Sequence, residues 1–127
     1  MLKKLSVLFG IVFLTIGLLG FVPGITTDEG LLLGIFKVDA IHNMIHILSG
    51  VAALVAGTRS EDYAQLYFRV FGVVYAVVAL VGLMQSDTVL GLIDINAADN
   101  VLHIVLAVAI LGIGFGVPKS GPVAKTV

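Results

Sequence analysis

The three histidines are the residues of this sequence best suited to binding chemistry, and they lie in two similar stretches of chain. His42 and His46 are four positions apart in VDAIHNMIHILSG, and His103 follows Asp99 at the same spacing in INAADNVLHIVLAV. Residues four apart share one face of a helix. Imidazole and carboxylate groups in this number suit Zn²⁺ or another first-row divalent ion. The predicted metal ligands are His42, His46, Asp99 and His103.

Two other interpretations of these residues stay open from the sequence. His46 and His103 are the axial ligands expected if the cofactor is haem, because axial histidine is common in haem proteins. Alternatively, hydrogen bonds from these histidines to Asn43, Asn100 or nearby carbonyls would make the cluster a structural network. If a metal is bound, Asn43 and Asn100 are expected to orient the imidazole rings.

The residues that begin each stretch predict helix starts. Asp39 and Asn96 are suited to the N-cap position, where a side-chain oxygen accepts a hydrogen bond from a free backbone N–H. Asp99 then falls in the first turn of its helix, where a negative charge is favourable. The polar residues therefore lie near one end of two helices.

The composition places these helices in a membrane. Hydrophobic residues make up 59% of the 127-residue chain and charged residues 12%, whereas a soluble domain carries about 25% charged residues. This argues against a soluble protein, a disordered chain and a nucleic-acid binder. The absence of cysteine excludes disulfides, thiolate metal sites and cysteine catalysis.

Four apolar runs predict a single all-α domain over residues 1–127, an integral membrane four-helix bundle. The runs cover residues 5–22, 41–57, 67–84 and 97–117, each close to the roughly 20 residues that cross a bilayer. The first run is expected to be a permanent helix and not a cleaved signal, because no small-x-small site follows it.

Basic residues predict the orientation. Six of them precede the first run, flank the middle connection or follow the fourth run, and therefore lie on one side of the membrane. The charged residues on the other side are acidic except for Lys37. The six basic residues are Lys3, Lys4, Arg59, Arg69, Lys119 and Lys125. By the positive-inside rule, both termini are cytoplasmic. The segment RSEDYAQLYFR, between Arg59 and Arg69, is expected to be a solvated cytoplasmic loop.

The two halves of the chain predict an internal repeat, residues 5–57 and 67–116. Eight of nineteen positions match when residues 39–57 are aligned with residues 96–114. Each half has two spans, so the halves would be parallel and related by a pseudo-two-fold axis along the membrane normal. The connectors at 30–38 and 88–95 are expected to form a short helix or a re-entrant turn.

The function expected from these features is that of a non-enzymatic structural or accessory protein of the bacterial plasma membrane. Its expected partners are the lipid bilayer and either a second copy or another membrane protein, and not a nucleic acid. No Ser/His/Asp pattern indicates an enzyme. The alternatives are a metal- or haem-binding protein and an oligomeric small-molecule transporter, although no acidic or basic residue lies near the middle of spans one or three.

The paired pattern of Asn and His resembles that of a bacterial family of small four-span membrane proteins, known as a domain of unknown function. The pattern Val/Ile-Asp/Asn-x-x-His/Asp-Asn-x-x-His occurs at residues 38–46 and 95–103. The resemblance extends from about residue 5 to residue 116. It implies four transmembrane helices in a bacterial plasma membrane, and it implies no reaction.

Overall fold

The computed structural model describes residues 1–120 and contains four long helices in two antiparallel pairs. The helices are α1 (Leu2–Leu19), α2 (Ala40–Arg59), α3 (Glu61–Gln85) and α4 (Ala97–Gly116). Helix α1 packs along α2, and α3 packs along α4, while α3 also contacts both α1 and α2. The predicted all-α four-helix bundle is confirmed.

All four helices are long and apolar enough to cross a membrane. Large apolar side chains cover the outside of the bundle, for example Leu48 at 61% exposure and Val108 at 69%. Polar side chains lie inside it, which is the reverse of a soluble protein. These buried residues are Ser6, His42, Asn43, His46, Ser49, Asp99, Asn100 and His103. By the length and composition of its helices, the chain is a multi-pass membrane protein.

Helix α3 begins at Glu61, earlier than the predicted start at residue 67. Ser60 is its N-cap, and the Ser60 hydroxyl accepts a hydrogen bond from the Tyr63 N–H at 3.2 Å. Glu61 and Asp62 occupy the first turn, where their charge interacts favourably with the helix dipole. The interpretation of residues 59–69 as a loop was therefore wrong, because capping extends the helix through a polar segment.

The two connectors form β-hairpins, and the expected short helix or re-entrant turn is absent from both. Strands β1 (Leu31–Leu32) and β2 (Phe36–Lys37) pair after α1, and β3 (Thr88–Val89) and β4 (Ile93–Asp94) pair after α3. Both turns have a leucine followed by a glycine, all with positive φ, between 55° and 71°. Positive φ at two consecutive positions is typical of tight hairpin turns.

The helices place opposite charges at opposite ends of the bundle. We call the end where α2 stops and α3 starts the basic end; it holds Lys3, Lys4, Arg59, Arg69 and Lys119, with Glu61 and Asp62. The end with the two hairpins is the acidic end; it holds Asp28, Glu29, Asp39, Asp87, Asp94 and Asp99, with Lys37. Lys125, also used in predicting the orientation, lies outside the described residues.

Candidate metal centre

The N-termini of α2 and α4 bring the two polar stretches to the acidic end of the bundle. Asp39 is the N-cap of α2, and its Oδ1 accepts a hydrogen bond from the His42 N–H at 2.7 Å. Asn96 is the N-cap of α4, and its Oδ1 accepts from the Asp99 N–H at 3.0 Å. Both N-caps predicted from the sequence are present, and they set where each following histidine lies.

The three histidines meet in the interior between α2 and α4. The ring centroids are 4.6 Å apart for His42 and His46, 5.7 Å for His42 and His103, and 6.5 Å for His46 and His103. Each side chain is between 2% and 4% exposed. One nitrogen from each ring can be chosen so that all three lie within 4.8 Å of one another.

Each ring has one buried nitrogen without a hydrogen-bond partner among the described residues. These atoms are His42 Nε2, His46 Nδ1 and His103 Nδ1. A buried polar atom without a partner costs about 1–3 kcal/mol. A small ligand bound among the three rings would supply partners for these atoms.

The second nitrogen of His42, Nδ1, has a hydrogen-bond partner that shows where the ring carries a proton. His42 Nδ1 lies 3.1 Å from the backbone carbonyl oxygen of Asp94. A carbonyl only accepts hydrogen bonds, so Nδ1 carries a proton, and in the neutral ring Nε2 then has a free lone pair. Metal-binding histidines commonly donate their other N–H to a carbonyl in this way.

Asp99 does not join the cluster of potential metal ligands. It is buried, and its Oδ2 accepts a hydrogen bond from the Asn96 N–H at 2.9 Å, which completes a capping box. Among residues 1–120, the group of ligand atoms that are close enough to share an ion contains the three histidines alone. In this structure the carboxylate stabilises the start of α4.

The two asparagines contact glycines of the neighbouring helices. Asn100 Nδ2 donates to the Gly82 carbonyl at 3.3 Å. A Cβ atom added at Gly20 would lie 1.9 Å from Asn43 Oδ1, and one at Gly82 would lie 2.3 Å from Asn100 Oδ1. Among residues 1–120, neither asparagine hydrogen-bonds to an imidazole, so the structure places them as contacts between helices.

Aromatic and hydroxyl groups that sequence reasoning did not select surround the histidines. The Phe13 ring lies 6.0 Å from His46, and the Tyr75 ring lies 6.0 Å from His103. The Tyr75 hydroxyl is 3.0 Å from Ser49 Oγ. The signal available in the sequence was the spacing of Ser49, three positions after His46, which places both on one helix face.

The arrangement does not fit a haem held by His46 and His103. The His42 ring is closer to each of these rings than they are to each other. The three centroids form a triangle, so His42 lies beside the line that joins the other two rings, within the width of a porphyrin placed between them.

The arrangement fits a single small ion better. Zn–N distances are about 2.0–2.1 Å, so nitrogens that share an ion lie roughly 3.3–3.5 Å apart. The present separations of up to 4.8 Å require small rotations of the side chains. Three histidines leave a fourth coordination position open, as in known catalytic zinc sites.

Comparison with known proteins gives a family and no function. No curated protein and no solved structure matches the chain. The family model described as Domain of unknown function (DUF4383) matches residues 3–116. Because the match covers most of the 127 residues, the chain belongs to this family.

Proposed function

We propose that the protein binds a first-row transition-metal ion through His42, His46 and His103. The observation that carries this proposal is the convergence of three buried imidazoles, which offer three nitrogens within 4.8 Å of one another and each of which has one unpartnered nitrogen among the described residues. Imidazole suits zinc, copper, iron and nickel. The chemistry of the three rings favours these ions over Ca²⁺ and Mg²⁺, which prefer oxygen ligands.

The surroundings of the cluster also support the binding of a cation. Asp39 and Asp99 each lie within one turn of a histidine, and both carboxylates are held by backbone N–H groups. Their negative charge would offset the charge of the ion in an apolar bundle. We infer that Asp99 acts through this charge, and not as a fourth ligand.

We propose that the protein is a non-enzymatic component of the bacterial plasma membrane, acting with a second copy or with another membrane protein. The absence of cysteine and of a Ser/His/Asp pattern supports this role. The segregation of charge supports an orientation in which the basic end faces the cytoplasm. A reporter fused to either terminus is expected to be cytoplasmic, and a periplasmic terminus would contradict the orientation.

We also propose that the two halves arose by duplication. The hairpin pairs Leu31 with Lys37 and Thr88 with Asp94, and a shift of 57 positions converts the first pair into the second. The same shift relates Leu33 to Leu90, and both have φ of 55°. These correspondences in backbone geometry support the proposed duplication.

Metal titration of purified protein tests the proposed binding. After treatment with a chelator, the wild-type protein is expected to take up one equivalent of Zn²⁺ or Co²⁺. His46→Gln and His103→Gln are each expected to weaken binding by about 100-fold or more, since loss of outer hydrogen bonds alone costs 10–100-fold. Calorimetry and elemental analysis give the affinity and the stoichiometry.

A surface carboxylate at the same end supplies the matched control. Asp87 is exposed in the second connector, and Asp87→Asn is expected to bind metal as the wild type does. Circular dichroism must show that all variants keep their helix content. A folded wild-type protein that takes up no stoichiometric metal would contradict the proposal and would leave the histidines a purely structural role.

A further inference from the structure

We propose that a groove at the basic end binds one anionic phospholipid, with the phosphate at Arg59 and an acyl chain along the groove. The groove lies between α2 and α3 and has a volume of about 510 Å³. This binding does not depend on the histidine cluster, which lies at the acidic end. It would give the protein a specific lipid partner.

The shape of the groove follows from small residues on α2. Ala52 and Ala56 are four positions apart and lie opposite Tyr67 and Phe71, whose rings stack at 4.5 Å between centroids. Ala52 and Arg59 are seven positions apart, which is about 10 Å along a helix. The groove therefore extends about two helical turns into the bilayer from the end of α2.

The lining of the groove is apolar below its mouth. Its outer walls are formed by exposed apolar side chains, with Tyr63 near the mouth; the apolar residues are Val55, Leu66 and Val70. An acyl chain is the apolar occupant that a bilayer supplies at this depth. Arg59 is the charged residue in the lining, and it stands at the level where a phosphate group lies.

Arg59 has no acidic partner within residues 1–120. The two ion pairs at this end join the Met1 amino group to Glu61 and Lys119 to Asp62. A guanidinium group presents paired N–H donors that match a phosphate. Basic pockets between membrane helices commonly bind anionic head groups, and the excess of basic residues at this end favours a lipid with a net negative charge.

Native mass spectrometry of the full chain in detergent tests the site. Phosphatidylglycerol and phosphatidylcholine with identical acyl chains are the two probes. The wild-type protein is expected to retain one phosphatidylglycerol molecule at least about fivefold more than phosphatidylcholine. Arg59→Gln is expected to remove this preference, and Lys4→Gln, which changes an exposed charge at the same end outside the groove, is expected to keep it.

A second pair of variants tests the groove itself. Ala52→Leu fills the groove without changing charge and is expected to lower retention of both lipids by at least about fivefold. Ala109→Leu is the control, because Ala109 is the matching exposed position on α4. Equal loss of the preference in Arg59→Gln and Lys4→Gln would overturn the proposal in favour of diffuse surface charge. Retention unchanged by Ala52→Leu, or a lipid-free dimer that Ala52→Leu disrupts, would also overturn it.

Discussion

Each half of the bundle consists of a helix, a hairpin and a second helix. The two halves differ at the third residue of the helix that follows the hairpin. This residue is His42 in α2 and Asp99 in α4. In the second half, Asp99 Oδ2 accepts a hydrogen bond from the N–H of the N-cap residue Asn96, and the Asn96 side chain also donates to the Ile35 carbonyl of the first hairpin at 2.8 Å. In the first half, the His42 ring instead binds the Asp94 carbonyl, and both side-chain oxygens of the N-cap Asp39 accept hydrogen bonds.

The second side-chain oxygen of Asp39 links the two halves. Asp39 Oδ2 accepts a hydrogen bond from the Asp94 N–H at 2.7 Å, and His42 Nδ1 donates to the Asp94 carbonyl at 3.1 Å. The first half therefore holds both backbone groups of a residue in the second hairpin. His42 therefore supplies the third imidazole of the cluster and, together with Asp39, binds the second hairpin at Asp94.

Removing this difference is expected to have the largest effect. His42→Asp gives the first half the pattern of the second, and only two imidazoles then remain in the cluster. Metal affinity is expected to fall by about 100-fold or more, because a ligand and its outer hydrogen bond are both lost. Titration with Zn²⁺, monitored by calorimetry, measures the change.

His42→Gln checks that the loss is not due to the new negative charge. It is expected to weaken metal binding to a similar degree while helix content stays unchanged. If His42→Asp bound Zn²⁺ as tightly as the wild type, the role assigned to the third imidazole would be wrong.

The two helix pairs also differ in their packing, and the effect expected from this difference is smaller than the effect on metal binding. Gly50 in α2 corresponds to Ala107 in α4. A Cβ atom at Gly50 would lie 2.8 Å from the Leu14 backbone nitrogen and 2.9 Å from the Gly10 carbonyl oxygen. Since backbone cannot move aside cheaply, Gly50→Ala is expected to destabilise the protein by about 1–2 kcal/mol. Thermal unfolding in detergent, followed by circular dichroism, measures this.

The control for this change is Gly112→Ala. No atom lies within 4 Å of a Cβ added at Gly112, and alanine is favoured over glycine in a helix by about 0.5–1 kcal/mol. This variant is therefore expected to be as stable as the wild type or slightly more stable. Destabilisation of both variants to the same degree would show that the close contact at Gly50 is not the cause of the effect.

Substitution by glycine in either hairpin turn is expected to change the stability of the protein by a similar, small amount. Leu33 and Leu90 both have φ of 55° and are exposed, and this conformation costs a residue with a side chain about 1–2 kcal/mol. Leu33→Gly and Leu90→Gly are each expected to raise stability by about 0.5–1 kcal/mol, since glycine also gains freedom when unfolded. Unfolding curves that differ by more than about 1 kcal/mol between the two would break the equivalence of the turns.

The sequence was sufficient for the broad fold because membrane helices are encoded locally. Long apolar runs set the four helices, and the N-cap residues Asp39 and Asn96 set the starts of two of them. The start of α3 was missed because Ser60 caps a segment that is polar in composition. The hairpins were missed because strands of two residues leave almost no periodic pattern.

The sequence by itself determined the candidate site residues, since a chain with three histidines in two matching motifs offers few alternatives. Only the tertiary structure decided which of these residues lie together in the cluster and which of them caps a helix. It brought His42, His46 and His103 together, and it assigned Asp99 to its own N-cap. The physical reason is that spacing along one helix defines a face, whereas the distance between two helices depends on close contacts such as those of Asn43 with Gly20 and of Asn100 with Gly82.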